Sequence, residues 1–387
     1  MTSTTPDITS DSYSASFNSV ASPQRSLLRW RPTDAQTLEH YESLMLRGIK
    51  YYQGFVAGLN TISNVDFTSG APDSDREILV LLHGFAGGLA CWAQSWEFFS
   101  AHFDVYAVDL PGFGRSARPD VRVDSLEGAM AFTCGCLDRW CRSLPLRRPA
   151  IFVGHSFGGF IAAHFAMRRG PAAVRLLALA DPWGVPAASG SAPVLRRLAC
   201  RLFYAAKSPL AALRAVGPMG PFFFRTVRPD FANRWRGFLQ DPKVFYDYTY
   251  HCNAQVPPLG EMLFKACCDE HVTAKIPLFD VLPVLLSKEV PVVMLYGSET
   301  WMNAERGFTM ADIMLQKGYR IKADTVMNAG HQVFTDNVEE FNTKLLEAIQ
   351  ELLLESNEFA NIPPPVKNKC GLDKDDNNHN DHDDDDK

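Results

Sequence analysis

No apolar run in these 387 residues reaches the roughly 18 uninterrupted positions of a membrane-spanning helix. The opening stretch, Met1 to Ser26, carries Ser and Thr where a secretory signal needs an apolar centre, so neither a spanning nor a secreted protein is expected. Paired cysteine spacing is missing as well. The nine Cys are an odd number, with Cys134 and Cys136 as C-x-C and Cys267 and Cys268 adjacent. Reduced thiols of a cytoplasmic chain fit that pattern better than a disulfide framework or a zinc site, and neither metal nor cofactor is expected.

Net positive charge is also absent. From Asp373 to Lys387 there are eight Asp and two Lys, a net of −6 that equals the formal charge of the whole chain. Residues 1–372 are therefore near neutral, and a neutral body has no general electrostatic attraction for nucleic acid. The acidic tail holds His379 and His382 among its Asp residues, but a flexible tail seldom preorganises metal ligands, so it reads as solvated.

What is present is 46% hydrophobic residues arranged in short runs. Residues 77–82, 105–110, 150–154, 175–180, 290–296 and a weaker 324–328 are apolar on both faces and mostly closed by Gly or Pro. Such runs suit parallel strands covered by helices on both sides. Helix-like stretches at 126–144, 157–169 and 337–354 alternate with them, which predicts a doubly wound, mostly parallel α/β sheet. Residues 186–288 break the rhythm and read as a helical cap inserted into a core formed by 26–185 and 289–356. The flanks, 1–25 with eleven Ser or Thr and 357–387 with its Asp run, are expected to be disordered.

Gly154-His155-Ser156-Phe157-Gly158 fits G-x-S-x-G, entered from an apolar strand and left by a helix. That context forces the serine into a sharp turn that lifts its hydroxyl above the sheet, and Gly154 and Gly158 admit the close backbone. His83-Gly84-Phe85-Ala86-Gly87-Gly88 closes an earlier strand with no G-x-G-x-x-G or G-K-[ST] pattern to suggest a phosphate loop. The Phe85 and Phe157 amides are the candidate oxyanion donors. His331, after the last strand, is the candidate base; its place in the order Ser, acid, His supports it over nine other histidines. The acid is open among Glu299, Asn303 and Asp181: the first two lie in the loop after residues 292–296, the third follows Ala180. Asn would orient the imidazole without stabilising its charge. His331 and Asp336 also spell H-x-x-x-x-D, a spacing associated with glycerolipid acyltransferases, although Asp336 is also placed to cap the helix beginning near Asn337.

The inserted segment supplies a separate hint. Between Pro186 and His251 stand ten Lys or Arg against three Asp, interleaved with Phe203, Phe222-Phe223-Phe224, Trp235 and Phe245. Cations among aromatic rings suit a lipid interface, with phosphate meeting charge and acyl chains meeting rings.

Together these residues resemble the α/β-hydrolase superfamily. Asp109-Leu110-Pro111-Gly112-Phe113-Gly114-Arg115-Ser116, Asp181-Pro182-Trp183-Gly184, Tyr250-His251-Cys252-Asn253-Ala254-Gln255 and the run from His331 to Asp336 are similar to one subfamily. It contains N-acylphosphatidylethanolamine phospholipase B and the lipolysis co-activator linked to Chanarin–Dorfman disease. The resemblance implies an α/β-hydrolase fold with a helical cap after the sixth strand, and deacylation of phospholipid or lysophospholipid. It also implies a debated lysophosphatidic acid acyltransferase activity and peripheral association with membranes, lipid droplets or mitochondria. A contrasting reading is a non-catalytic co-activator that partners a lipase. The co-activator has Asn at the nucleophile position, so Ser156 points to the enzyme branch. Both relatives have Asp where this chain has Asn303, so the acid does not carry over, and Trp30 alone stands for the co-activator's Trp-rich droplet anchor.

Overall fold

The computed structural model describes residues 33–70, 74–185, 200–202, 204–206 and 208–354. Both flanks that the sequence marks as disordered, the His379 and His382 tail and the first part of the insertion lie outside them.

Eight strands form one sheet: β1 (Tyr52–Val56), β2 (Leu59–Ser63), β3 (Ile78–Leu82), β4 (Asp104–Val108), β5 (Ala150–His155), β6 (Val174–Ala180), β7 (Val292–Gly297) and β8 (Ile321–Val326). Their spatial order is β1-β2-β4-β3-β5-β6-β7-β8, with β1/β2 and β2/β4 antiparallel and every other pair parallel. The α/β-hydrolase fold expected from the sequence is the fold observed. All six predicted runs are strands, shifted by up to three residues at their ends.

Alternate residues of each central strand enter opposite cores, which is why the runs are apolar throughout. Ile78, Val80 and Leu82 of β3 pack on one side, with the Leu126–Ser143 and Phe157–Arg169 helices. Leu79 and Leu81 pack on the other, with the Ala93–His102 and Val338–Leu354 helices. Ser125 starts one helix by accepting from the Gly128 N–H (3.1 Å).

The hairpin β1–β2 is an addition to the expected sheet. Ala57 and Gly58 turn it with φ of +48° and +81°, the left-handed pair of a tight hairpin. Its sequence conceals it: β1 is half-exposed at an edge, and β2 buries Asn60, Thr61 and Ser63 rather than an apolar run. The Asn60 carboxamide donates to Glu42 and Asp109 (3.1 and 2.8 Å), so these polar atoms are buried with partners.

Among the described residues, the insertion between β6 and β7 is helical, with helices at Gly220–Val227, Val244–Ala254, Leu259–Cys267 and Leu278–Leu285. It seats on the core through close backbone contact: the Gly260 N–H donates to the Gly112 carbonyl (3.2 Å), and a Cβ on Gly112 would lie 2.4 Å from Gly260 N. Among the described residues, eight cysteines are free thiols and no helix is long and apolar enough to cross a membrane.

Candidate active site

β5 ends at His155, and the chain reverses at Ser156 straight into the Phe157–Arg169 helix. Ser156 has φ +53° and ψ −118°, a conformation that L-residues seldom occupy and that marks stored strain. The glycines of the motif are sterically required. A Cβ on Gly154 would lie 2.4 Å from the Gly158 carbonyl oxygen, and one on Gly158 would lie 2.4 Å from that of His83. The same crowding sets the neighbouring loop, since a Cβ on Gly84 would stand 3.1 Å from that of Ser156.

Parallel pairing of β5, β6, β7 and β8 brings the loops that follow them to the C-terminal edge of the sheet. There His331 Nε2 lies 3.0 Å from Ser156 Oγ, and His331 Nδ1 lies 2.6 Å from Asp181 Oδ2. Asp181 follows the last residue of β6, with φ +45°. Its carboxylate is fully buried and also accepts from Thr300 Oγ1 (2.6 Å) and the Gly297 amide (3.3 Å). Of the three residues that the sequence leaves open for the acid's place, the fold joins Asp181 to the imidazole.

Glu299 and Asn303 take other positions. Both ring nitrogens of His331 are already engaged by Asp181 and Ser156. The Glu299 side chain is exposed, while its amide donates to the Ala329 carbonyl (2.8 Å) and so ties the β7 loop to the His331 loop. The Asn303 side chain accepts from the Arg306 amide (3.1 Å) as the N-cap of the Ala304–Gln316 helix. Of the two loops that the sequence leaves open for the acid, the one after β6 is the one that reaches the imidazole. Thr300 is what the β7 loop contributes, as a donor to Asp181.

Burial dominates the electrostatics. It pushes the His331 imidazole down to about 4 and the Asp181 carboxyl up to about 7, each toward its neutral form. A neutral imidazole is the form that accepts a hydroxyl proton. His155, also held neutral by burial, donates from Nε2 to the His331 carbonyl (2.8 Å), because a carbonyl can only accept. Nothing in the sequence distinguished His155 from a spacer in G-x-S-x-G.

His83 accepts the Leu110 N–H on Nε2 (2.9 Å) and donates from Nδ1 to the Gly84 carbonyl (2.8 Å), which fixes the start of the Phe85 loop. Phe157 is the first residue of its helix, where the N–H has no intrahelical acceptor. The Phe85 ring stacks on Phe264 of the cap (4.2 Å), and Phe264 lies 4.9 Å from both Phe157 and Trp183. Aromatic rings thus cluster beside the serine.

Asp336 does not cap the last helix. Asn337 does, accepting from the Glu340 amide (3.3 Å). Asp336 instead accepts from the Gly330 N–H (3.0 Å) and from Arg234 of the insertion. It sits outside the Ser156–His331–Asp181 chain and braces the loop that carries His331. In the sequence Arg234 is one cation among the ten between Pro186 and His251, with nothing local to mark this contact.

Residues 79–344 match the alpha/beta hydrolase family. The chain is 32% identical over 322 residues to the (lyso)-N-acylphosphatidylethanolamine lipase of Homo sapiens, covering 81% of this chain and 92% of the relative. It is 36% identical over 281 residues to the 1-acylglycerol-3-phosphate O-acyltransferase ABHD5 of Rattus norvegicus, covering 71% and 77%. Among solved structures it resembles a bacterial membrane phospholipase A, with a TM-score of 0.58 at 21% identity over 82% of this chain and 91% of that one. A carboxylesterase from Bacillus subtilis gives 0.53 at 19% identity, over 81% and 96%. These two structural likenesses speak to the fold, whereas the family match and the two relatives decide membership: this chain belongs to the alpha/beta hydrolase family.

Proposed function

We propose that the chain is a serine hydrolase that cleaves acyl esters of glycerophospholipids, of lysophospholipid or N-acyl phospholipid type. The observation that carries this is the hydrogen-bonded line from Asp181 through His331 to Ser156, at 2.6 and 3.0 Å, with the serine on a strained turn. His331 takes the hydroxyl proton as Ser156 Oγ attacks the acyl carbonyl, and Asp181 stabilises the imidazolium that forms. The Phe85 and Phe157 amides receive the oxyanion, a contribution of about 3 kcal/mol per donor. His331 then protonates the leaving alcohol, and a water deprotonated by the same imidazole releases the fatty acid.

The substrate class draws on the relatives, a lipase of N-acylated phosphatidylethanolamine and an acyltransferase of 1-acylglycerol 3-phosphate. The aromatic cluster of Phe85, Phe157, Trp183 and Phe264 suits an acyl chain. If the hydroxyl of a lysophosphatidic acid replaces water in the second step, the acyl group is transferred instead of hydrolysed. The two activities then share one acyl-enzyme. Within this reading the enzyme works peripherally at cytoplasmic lipid surfaces, membranes, lipid droplets or mitochondria among them. A lipase partner, the role of a non-catalytic co-activator, is opposed by the intact nucleophile and base. A fluorophosphonate probe is expected to label Ser156, and Ser156→Ala to lose labelling and about 10³ or more of phospholipid turnover. Undiminished turnover in that variant overturns the assignment.

A further inference from the structure

We propose that the Gly220–Val227 helix is the element by which the enzyme docks on an anionic phospholipid bilayer; this deepens the hydrolase reading and rests on it for its purpose. The helix packs one side inward. A Cβ on Gly220 would overlap the Tyr250 ring, and Phe224 meets Phe231 and Tyr246 edge-on (5.7 and 5.3 Å). The other side carries Phe222, Phe223 and Val227, preceded by Met219 in the turn that leads in. Positions 219, 222, 223 and 227 follow i, i+3, i+4, i+8, a single helical stripe.

In a helix of a soluble core that stripe would be buried. Here the four residues are 57%, 56%, 54% and 58% exposed. A contiguous apolar face of this kind marks an interaction site rather than ordinary surface. The charge around it identifies the occupant. From residue 200 to 251 there are eight Lys or Arg against three Asp, and Arg201, Arg236 and Lys243 are exposed. Arg225 lies on the same helix, with its guanidinium 5.5 Å from the Phe222 ring. Apolar side chains among cations match a bilayer that offers acyl chains beneath phosphate.

The helix also connects inward to the site. Phe231, which receives Phe224, lies under the guanidinium of Arg234 (4.5 Å), and Arg234 bonds Asp336 on the His331 loop. Docking at this face therefore brings the bilayer to the part of the cap that touches the catalytic loop.

The test uses the full chain with vesicles of phosphatidylcholine alone and of phosphatidylcholine mixed with phosphatidylserine, whose negative surface attracts basic segments. Phe222→Asp with Phe223→Asp is expected to lower co-sedimentation with anionic vesicles at least tenfold. Hydrolysis of a vesicle-borne phospholipid is expected to fall in step, and hydrolysis of a water-soluble short-chain ester to stay unchanged. Arg225→Glu with Lys243→Glu is expected to remove the preference for phosphatidylserine and to flatten the salt dependence. Unchanged vesicle binding in the Phe double variant overturns the proposal. So does conversion of a dimer to a monomer with vesicle binding intact, which would give the stripe to a second copy. Vesicle binding by a wild-type chain inert toward every ester would instead defeat the hydrolase reading and leave the docking face standing.

Discussion

Arg234, from the helical insertion, donates to the carboxylate of Asp336, five positions beyond His331 in the loop of the base. That carboxylate also accepts the Gly330 N–H (3.0 Å), directly before His331. Cap and base are thus joined by one ion pair, and the acyltransferase-like spacing H-x-x-x-x-D acquires a mechanical meaning.

The pair makes a directional prediction about acidity. The Asp336 carboxylate raises the affinity of His331 for a proton, and the Arg234 guanidinium lowers it. Asp336→Asn should move the acidic limb of kcat/KM to lower pH, and Arg234→Gln should move it to higher pH. A purely structural brace would cost activity in both variants and leave the limbs aligned. Profiles from pH 3 to 8, a window chosen to span the ordinary histidine range, separate the two roles.

Asp181 should dominate the acid position. Asp181→Asn is expected to reduce turnover by about 10³ to 10⁴, because the amide leaves the imidazolium without a charge partner. Glu299→Gln should stay within about twofold, since that side chain is exposed. Asn303→Ala loses a helix cap and should lower stability by about 1 kcal/mol while leaving turnover within about twofold. Steady-state kinetics on the three variants beside thermal unfolding provide the check, and a large kinetic loss in Glu299→Gln would reverse the assignment.

The strain at Ser156 should be visible as stability. Glycine accepts φ +53° without the Cβ penalty, so Ser156→Gly is expected to raise the melting temperature while abolishing turnover. Ser156→Ala retains a Cβ and should gain less. Calorimetry on both variants decides, and equal melting temperatures would mean that the turn holds little strain.

His164 is buried beside Phe160 and pushed down to about 4 from an ordinary value of 6.5. The unfolded chain therefore takes up a proton between 6.5 and 4 that the folded chain refuses. Its contribution to stability is complete above pH 6.5 and declines as the pH falls toward 4. His331 and His251, both pushed to about 4, act in the same direction. Asp181 and Glu42, raised to about 7, act against them. His164→Leu should make the fall of the melting temperature over that window shallower. An unchanged slope would mean that this ring is not a major contributor.

The sheet was largely legible because its central strands are buried on both faces. Six short apolar runs can be seen without knowing their partners, and Ser156 declares itself through the glycines its turn requires. The β1–β2 hairpin escaped because its stabilisation is relational: Asn60 is tolerable in a strand only where Glu42 and Asp109 meet it. The same holds for the acid. Asp181 and Glu299 are equally plausible as letters in a chain, and the choice depends on the distance from β6 to β8 across β7.

The sequence alone determined the nucleophile, the base and the kind of sheet that presents them, because periodicity and steric demand act over a few residues. Only tertiary structure decided which carboxylate faces His331, which cation braces its loop and which aromatic residues remain outside the core. Those outcomes depend on side chains up to 150 positions apart meeting in a low-dielectric interior or failing to meet, and local sequence carries no measure of that.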